Sequence, residues 1–198
     1  MKELGEFFFR YRSYIPVPFV VVMLIFSEPT MQSIIAGLLL ALSGELIRIW
    51  AVSYAGSETR TTSGVGGTYL ITQGPYSIIR NPLYAGNILI YTGLGIMSMA
   101  LFPYLQIFAL MFFIFQYYCI ILKEEEFLGM KFPMEFSKYF KSVGRFLPSI
   151  KALPEDIKSK VDFNLKSGIK SEKRSLQAIV IVASIIIIFY FLQKFVMN

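Results

Sequence analysis

"RNPLYAGNILIYTGLGIMSMALFPYLQIFALMFFIFQYYCIILKEEE", Arg80–Glu126, is the stretch on which the fold turns. Two apolar runs, Leu83–Leu101 and Tyr104–Leu122, are separated only by Phe102–Pro103. An α-helix rises about 1.5 Å per residue and needs about 20 apolar residues to cross a bilayer core. Each run comes close to that length, and so short a connection makes them antiparallel neighbours. The polar ends of the hairpin, Arg80–Tyr84 entering and Lys123–Glu126 leaving, are therefore expected to meet at one membrane surface.

Composition extends this reading to the whole chain. The 198 residues are 55% hydrophobic and 16% charged, with mean hydropathy +0.58, whereas a soluble domain carries roughly a quarter charged residues. The expected fold class is all-α: a polytopic integral membrane protein of about five transmembrane helices, with a cytosolic surface helix. Upstream of the hairpin, Met31–Val52 reads as a span that follows the Pro29–Thr30 turn. Ile15–Phe26 is short, with Pro16 and Pro18 at its start. It crosses only if Phe7–Phe9 join it and Arg10 and Arg12 snorkel to head groups, a tilted or re-entrant path being the alternative. "MKELGEFFFRYRSY" has no small-residue cleavage site and is expected to be retained. Ser175–Val196 is the last apolar run.

Downstream of the hairpin, Lys123–Pro148 has apolar residues at roughly helical spacing (Phe132, Phe136, Tyr139, Phe140, Val143) and is expected to lie as a helix on the membrane surface. These boundaries divide the chain into a two-helix membrane hairpin at 1–52, a core at 53–150, a charged linker at 151–174 and a C-terminal anchor at 175–198. Net charge is +6, with twelve Lys/Arg against eight Asp/Glu in 123–174. Basic residues flanking spans argue for cytoplasmic orientation and anionic lipid rather than nucleic acid. They put the N-terminus, the 53–82 loop and the 123–174 block in the cytoplasm, leaving the C-terminus outside after five crossings.

Residue types narrow the chemistry. The chain has no histidine, which excludes His-based triads, zinc proteases and haem ligation by His. Any general base must be Glu, Asp, Lys or Tyr, or the acceptor must arrive deprotonated. Cys119, the one cysteine, has no metal-ligand spacing and reads as a small core residue. Glu45 and Arg48 share a helical face at membrane depth and are expected to pair near the cytoplasmic end of their span. Asn81-Pro82 suits a helix start, Asn as N-cap and Pro as first residue. Glu124-Glu125-Glu126 stands apart in an otherwise basic block. A helix N-terminus offers N–H groups to an anion and the glutamates offer partners to a cation, so a zwitterionic ligand suits their meeting point.

In order, Gly74-Pro75-Tyr76, Arg80-Asn81-Pro82-Leu83-Tyr84-Ala85-Gly86, Glu124-Glu125 with Leu128, and "VGRFLP" resemble the isoprenylcysteine carboxyl methyltransferase and phospholipid methyltransferase family. These are membrane enzymes that use S-adenosylmethionine. The likeness covers about Thr68–Pro148. This chain has Asn81 where the family commonly has His, which removes proton transfer by that residue. The resemblance implies that Thr68, Tyr69, Leu70 and Ile71 contact the adenosine largely through backbone groups, and that Tyr76, Asn81, Pro82, Leu83 and Tyr84 close on the cofactor. Glu124 would face its amino-acid end. Asn81, Tyr84 and Glu125 are the candidate catalytic residues, and Arg60 and Arg145 the candidate substrate partners. The implied acceptor is a lipidic, amphiphilic or prenylated molecule. Two alternatives differ in class: an NADPH-dependent sterol-reductase-like enzyme, which would need clustered Arg/Lys near the site, and a non-catalytic scaffold or transporter.

Overall fold

The computed structural model describes residues 2–56, 69–149, 153–159 and 161–196. They form seven α-helices: α1 (Lys2–Tyr11), α2 (Pro16–Ile25), α3 (Met31–Ala55), α4 (Pro82–Ser98), α5 (Tyr104–Lys131), α6 (Pro133–Ser142) and α7 (Leu165–Val196). No strand occurs among the described residues; one parallel bridge joins Ile79 to Gly144. Three helices, α3, α5 and α7, are long and apolar enough to cross a membrane, and α1 with α2 makes a fourth if that pair, bent by 57°, counts as one span. The bend falls where Pro16 begins α2, since proline cannot donate the N–H that would continue α1. The expected third span is α4, shorter at 17 residues and in contact with α2, α3, α5 and α7.

Two helix boundaries have plain local causes. The N-cap of α3 is Thr30, whose hydroxyl accepts the Ser33 N–H (3.1 Å) while the Ser33 hydroxyl accepts the Thr30 N–H (2.9 Å), a reciprocal capping box. The surface segment is not one helix, as the sequence suggested. α5 runs past the expected end of its span to Lys131, and Pro133 then forces Phe132 out of the helical region (φ −130°, ψ 62°), so α6 starts afresh.

α3 and α4 meet through glycines. A Cβ on Gly37 would lie 2.3 Å from the Gly93 carbonyl oxygen, and one on Gly44 would lie 2.6 Å from that of Gly86. Only hydrogen fits at these points, and the two backbones approach as membrane helices do through small residues. Among the described residues the core forms three apolar clusters: Met23, Ile34, Ile90, Leu94 and Met97 with Ile179, Ala183 and Ile186 of α7; Phe8 and Phe9 of α1 with Phe113, Tyr117 and Ile120 of α5; and Phe136, Tyr139 and Val143 with Leu153 and Ile157. Cys119 is buried in the second cluster, as expected of a core residue.

The stretch read as a charged linker ends at residue 164, since α7 begins at Leu165. Asn164 is its cap: the side-chain oxygen accepts the Ser167 N–H (2.9 Å) and the carbonyl accepts the Gly168 N–H (3.0 Å). Lys166, Lys170, Lys173 and Arg174 are exposed, while Gly168, Glu172, Ile179, Ala183 and Ile186 form a buried stripe. The many exposed charges disguised a helix that continues straight into the apolar run.

Candidate functional site

The two ends of the hairpin meet. The Tyr84 hydroxyl donates to Glu124 Oε1 at 2.7 Å. Tyr84 stacks on Tyr117 with ring centroids 4.7 Å apart. The Pro82 ring is buried at the first position of α4, where a missing N–H costs nothing. Helix geometry leaves the first-turn N–H groups of Leu83 and Tyr84 without an acceptor in their own helix. Arg12 stacks on the Phe9 ring (4.1 Å) and lies within electrostatic reach of Tyr84 and Glu124.

Glu125, the next residue, points into a different environment. It accepts from Arg80 at 3.0 Å and from Arg145 at 2.5 and 3.2 Å. Arg80 Nη1 also donates to the carbonyls of Phe140 (2.7 Å) and Val143 (2.9 Å), and its guanidinium lies 4.1 Å over the Phe140 ring. A planar guanidinium with five donors can serve two carbonyls and a carboxylate at once. Burial draws the Arg80 guanidinium below its ordinary value, with Glu125 pulling the other way. For Arg145, the hydrogen bond to Glu125 is the larger influence and lifts it. This triad ties the start of α4, the end of α5 and the "VGR" loop into one unit. It is reinforced by the Arg80 N–H to the Gly144 carbonyl (2.8 Å) and the Ser149 N–H to the Ile78 carbonyl (2.9 Å). Arg145, a candidate substrate partner, is paired with Glu125.

Asn81 occupies the N-cap position, yet its side chain makes no cap hydrogen bond. Its amide donates to the Arg145 carbonyl at 3.2 Å instead, and only its own carbonyl, accepting from Ala85 at 3.1 Å, begins the helix. Tyr76 sits in the 3₁₀ turn Gly74–Ser77, and its carbonyl accepts the Tyr139 hydroxyl at 2.7 Å. Burial pushes the Tyr76 phenol well up, with Glu124 adding to the effect; Tyr139 shifts the same way, chiefly through burial. Of the strip before the turn, Tyr69 is exposed, while Leu70 and Ile71 are half-buried. Thr68 and Arg60 lie outside the described residues.

One turn deeper, Arg48 crosses Gly86, on which a Cβ would lie 2.6 Å from Arg48 Cγ. Its expected partner Glu45 is at 3.7 Å, but the shorter contact is to Glu172 of α7 at 2.6 Å. Arg48 also donates to Asn87, and Ser175 donates to Glu45 at 3.2 Å. Sequence reasoning missed Glu172 and Asn87. The signal was available for Glu172: it falls on the helical stripe of Ile179, Ala183 and Ile186.

Along α4, the face of Tyr84 continues through Ile88, Tyr91 and Gly95 into an apolar cleft. Pro16, Phe19, Val20 and Met23 of α2 and Leu105, Ala109 and Phe113 of α5 form its other walls. Among the described residues no group of three or more His, Cys, Asp or Glu is arranged to hold a metal ion.

Residues 32–135 match the family described as phospholipid methyltransferase. The cobalt-zinc-cadmium resistance protein CzcN of Cupriavidus metallidurans is 37% identical over 106 residues, which cover 52% of this chain and 43% of that protein. The nickel-cobalt-cadmium resistance protein NccN of Alcaligenes xylosoxydans xylosoxydans is 35% identical over 103 residues, covering 52% and 44% respectively. Each match thus takes in less than half of the curated relative's length. No solved structure matches the chain.

Proposed function

Since this chain belongs to the phospholipid methyltransferase family, we propose that it is an integral membrane methyltransferase that draws on S-adenosylmethionine and modifies a lipidic or isoprenylated acceptor. The observation that carries the reading is the Tyr84–Glu124 hydrogen bond, 2.7 Å, which joins the start of α4 to the end of α5 where the family's two motifs fall. The donor set suits the cofactor. Glu124 offers a carboxylate to an ammonium or sulfonium, the first turn of α4 offers N–H groups to a carboxylate, and Tyr76 and Tyr84 offer aromatic faces. When bound, S-adenosylmethionine supplies an electrophilic methyl group.

The protein's own task is placement. Tyr84 fixes the Glu124 carboxylate by hydrogen bond, and the Arg80–Glu125–Arg145 triad fixes the frame around them, so two segments forty residues apart in sequence hold one geometry. For an in-line displacement, such fixed orientation supplies most of the rate gain. The apolar walls from Ile88 to Gly95 suit the tail of a lipidic acceptor, which would enter between α2, α4 and α5 while the cofactor enters from the cytosol. In this reading the basic flanks keep the site on the cytoplasmic side and leave the C-terminus of α7 outside.

The test is transfer of label. Membranes containing the chain, incubated with methyl-labelled S-adenosylmethionine, are expected to yield labelled lipid or prenylated product in the organic extract, and Glu124→Ala membranes are not. Equal labelling in membranes with and without the chain would refute the activity.

A further inference from the structure

We propose that residues 153–159 and 161–175, which lie beyond the family match, form the outer wall of the cofactor site, with Glu172 and the Thr72 that this segment grips as positioning residues. The inference rests on the cofactor reading above. It begins from a hydroxyl: Thr72 is 0% exposed, and its Oγ1 donates to the Ile157 carbonyl (2.8 Å) and accepts the Ser159 N–H (2.8 Å). The Thr72 N–H donates to the Ser159 hydroxyl (3.1 Å), and the Val161 N–H donates to Gln73 Oε1 (3.3 Å). A buried hydroxyl and amide must be satisfied, and here the later segment satisfies both.

These bonds fix backbone. The strip Leu70–Ile71 is expected to meet adenosine through backbone groups, so whatever orients the Thr72 peptide orients the strip. Leu153 and Ile157 press on the same place, packed with Leu70, Phe136, Tyr139 and Val143. A purely adhesive strap needs only the apolar contacts; the hydrogen bonds add direction.

The second point of purchase lies beneath the tyrosine turn. The Asn164 N–H donates to the Ser53 carbonyl (2.9 Å), and the Phe163 ring packs at a tilt against Tyr54, centroids 5.2 Å apart. Tyr54 in turn fills the space beside Gly74, where a Cβ would lie 2.3 Å from its ring and φ is +59°. Only glycine suits that left-handed position, so the tyrosine turn is set against α3 and α7 together. Glu172, 1% exposed, then holds Arg48 at 2.6 Å, within electrostatic reach of Tyr76. α7 therefore contributes a charge to the floor of the site rather than only an anchor.

The experiment uses the full chain in detergent, with hydrogen exchange and calorimetric titration of S-adenosylmethionine run on the same samples. In Thr72→Val and Glu172→Gln, the dissociation constant is expected to rise about tenfold or more, since the first strands the Ser159 N–H and the second removes the charge nearest Arg48. Exchange across 69–79 quickens while α5 keeps its protection. Thr72→Ser, which restores the hydroxyl, is expected to bind as wild type does. Should Thr72→Val not fold, Ser159→Ala removes the acceptor of the Thr72 amide and a longer contact with the Thr72 hydroxyl (3.4 Å), leaves the bond to the Ile157 carbonyl, and carries the same expectation at smaller size. Variants that keep α5 protection and wild-type affinity overturn this inference alone. Absence of binding in the wild type overturns the cofactor reading, and this inference with it.

Discussion

Replacing Glu125 by Gln keeps the shape of the side chain but removes the charge that two guanidiniums share. Arg80 and Glu125 are 8% and 10% exposed and 3.0 Å apart, a pair largely withdrawn from water. Arg145, at 23% exposure and 2.5 Å, is partly solvated. Breaking a buried pair costs about 3–5 kcal/mol because a charge is stranded, while an exposed pair is worth roughly 0–1 kcal/mol. The glutamine still accepts one hydrogen bond, so the lower end applies, about 3 kcal/mol. At roughly 1.4 kcal/mol per decade this lowers the folded-to-unfolded ratio about 150-fold. For a chain of this length it corresponds to a fall of about 6–12 °C in midpoint. Thermal unfolding of the detergent-solubilised protein measures it. Arg145 already opposes the charge of Arg80, so the double variant Glu125→Gln/Arg145→Gln is expected to recover about 1–2 kcal/mol of the loss. A single variant within about 2 °C of wild type, or a double variant showing simple additivity, would refute the triad as a coupled unit.

Other outcomes follow from single contacts. Gly93→Ala puts a Cβ 2.6 Å from the Gly37 carbonyl oxygen and is expected to cost about 1–3 kcal/mol by unfolding, whereas Gly95→Ala, whose nearest atom is 3.5 Å away, is neutral or slightly stabilising; equal effects would count against the glycine-mediated contact of α3 and α4. Asn81→Asp, harmless if the side chain were an N-cap, is expected to destabilise by about 1 kcal/mol, because its amide donates to the Arg145 carbonyl. An unchanged midpoint would restore the capping role. Tyr84→Phe deletes the 2.7 Å hydrogen bond to Glu124 and is expected to weaken S-adenosylmethionine binding about tenfold, a hydrogen bond to a charged group being worth about 1.5 kcal/mol or more. Calorimetry reads that change, and an unaltered affinity would detach Tyr84 from the site.

Much of this was legible in the sequence because the bilayer leaves the chain few choices. Two apolar runs joined by Phe102–Pro103 must return on each other, and that constraint alone brings Tyr84 to Glu124. The burial of Cys119 and the Glu45–Arg48 contact followed from apolar context and helical spacing. What the sequence hid were contacts between elements with no local signature. Arg80, Glu125 and Arg145 each stand out separately, as a motif residue, a candidate catalytic residue and a candidate substrate partner, but nothing local says that they pair until the "VGR" loop is folded back by the Ile79–Gly144 bridge. Asn81 has the residue type of a cap, but the nearer carbonyl of Arg145 competes for its amide. Residues 165–174 carry enough charge to read as linker, although Glu172 shares the inward stripe of α7. Periodicity identifies faces well; it does not say which distant charge a face will meet.

The central claim is that the first turn of α4 and Glu124, about two turns before the end of α5, hold the methyl donor between them. Calorimetric titration of S-adenosylmethionine into the purified wild-type chain and into Glu124→Ala tests it most directly. Saturable binding by the first, and its loss in the second with folding intact, is the predicted result; binding by Glu124→Ala with wild-type affinity would contradict the account.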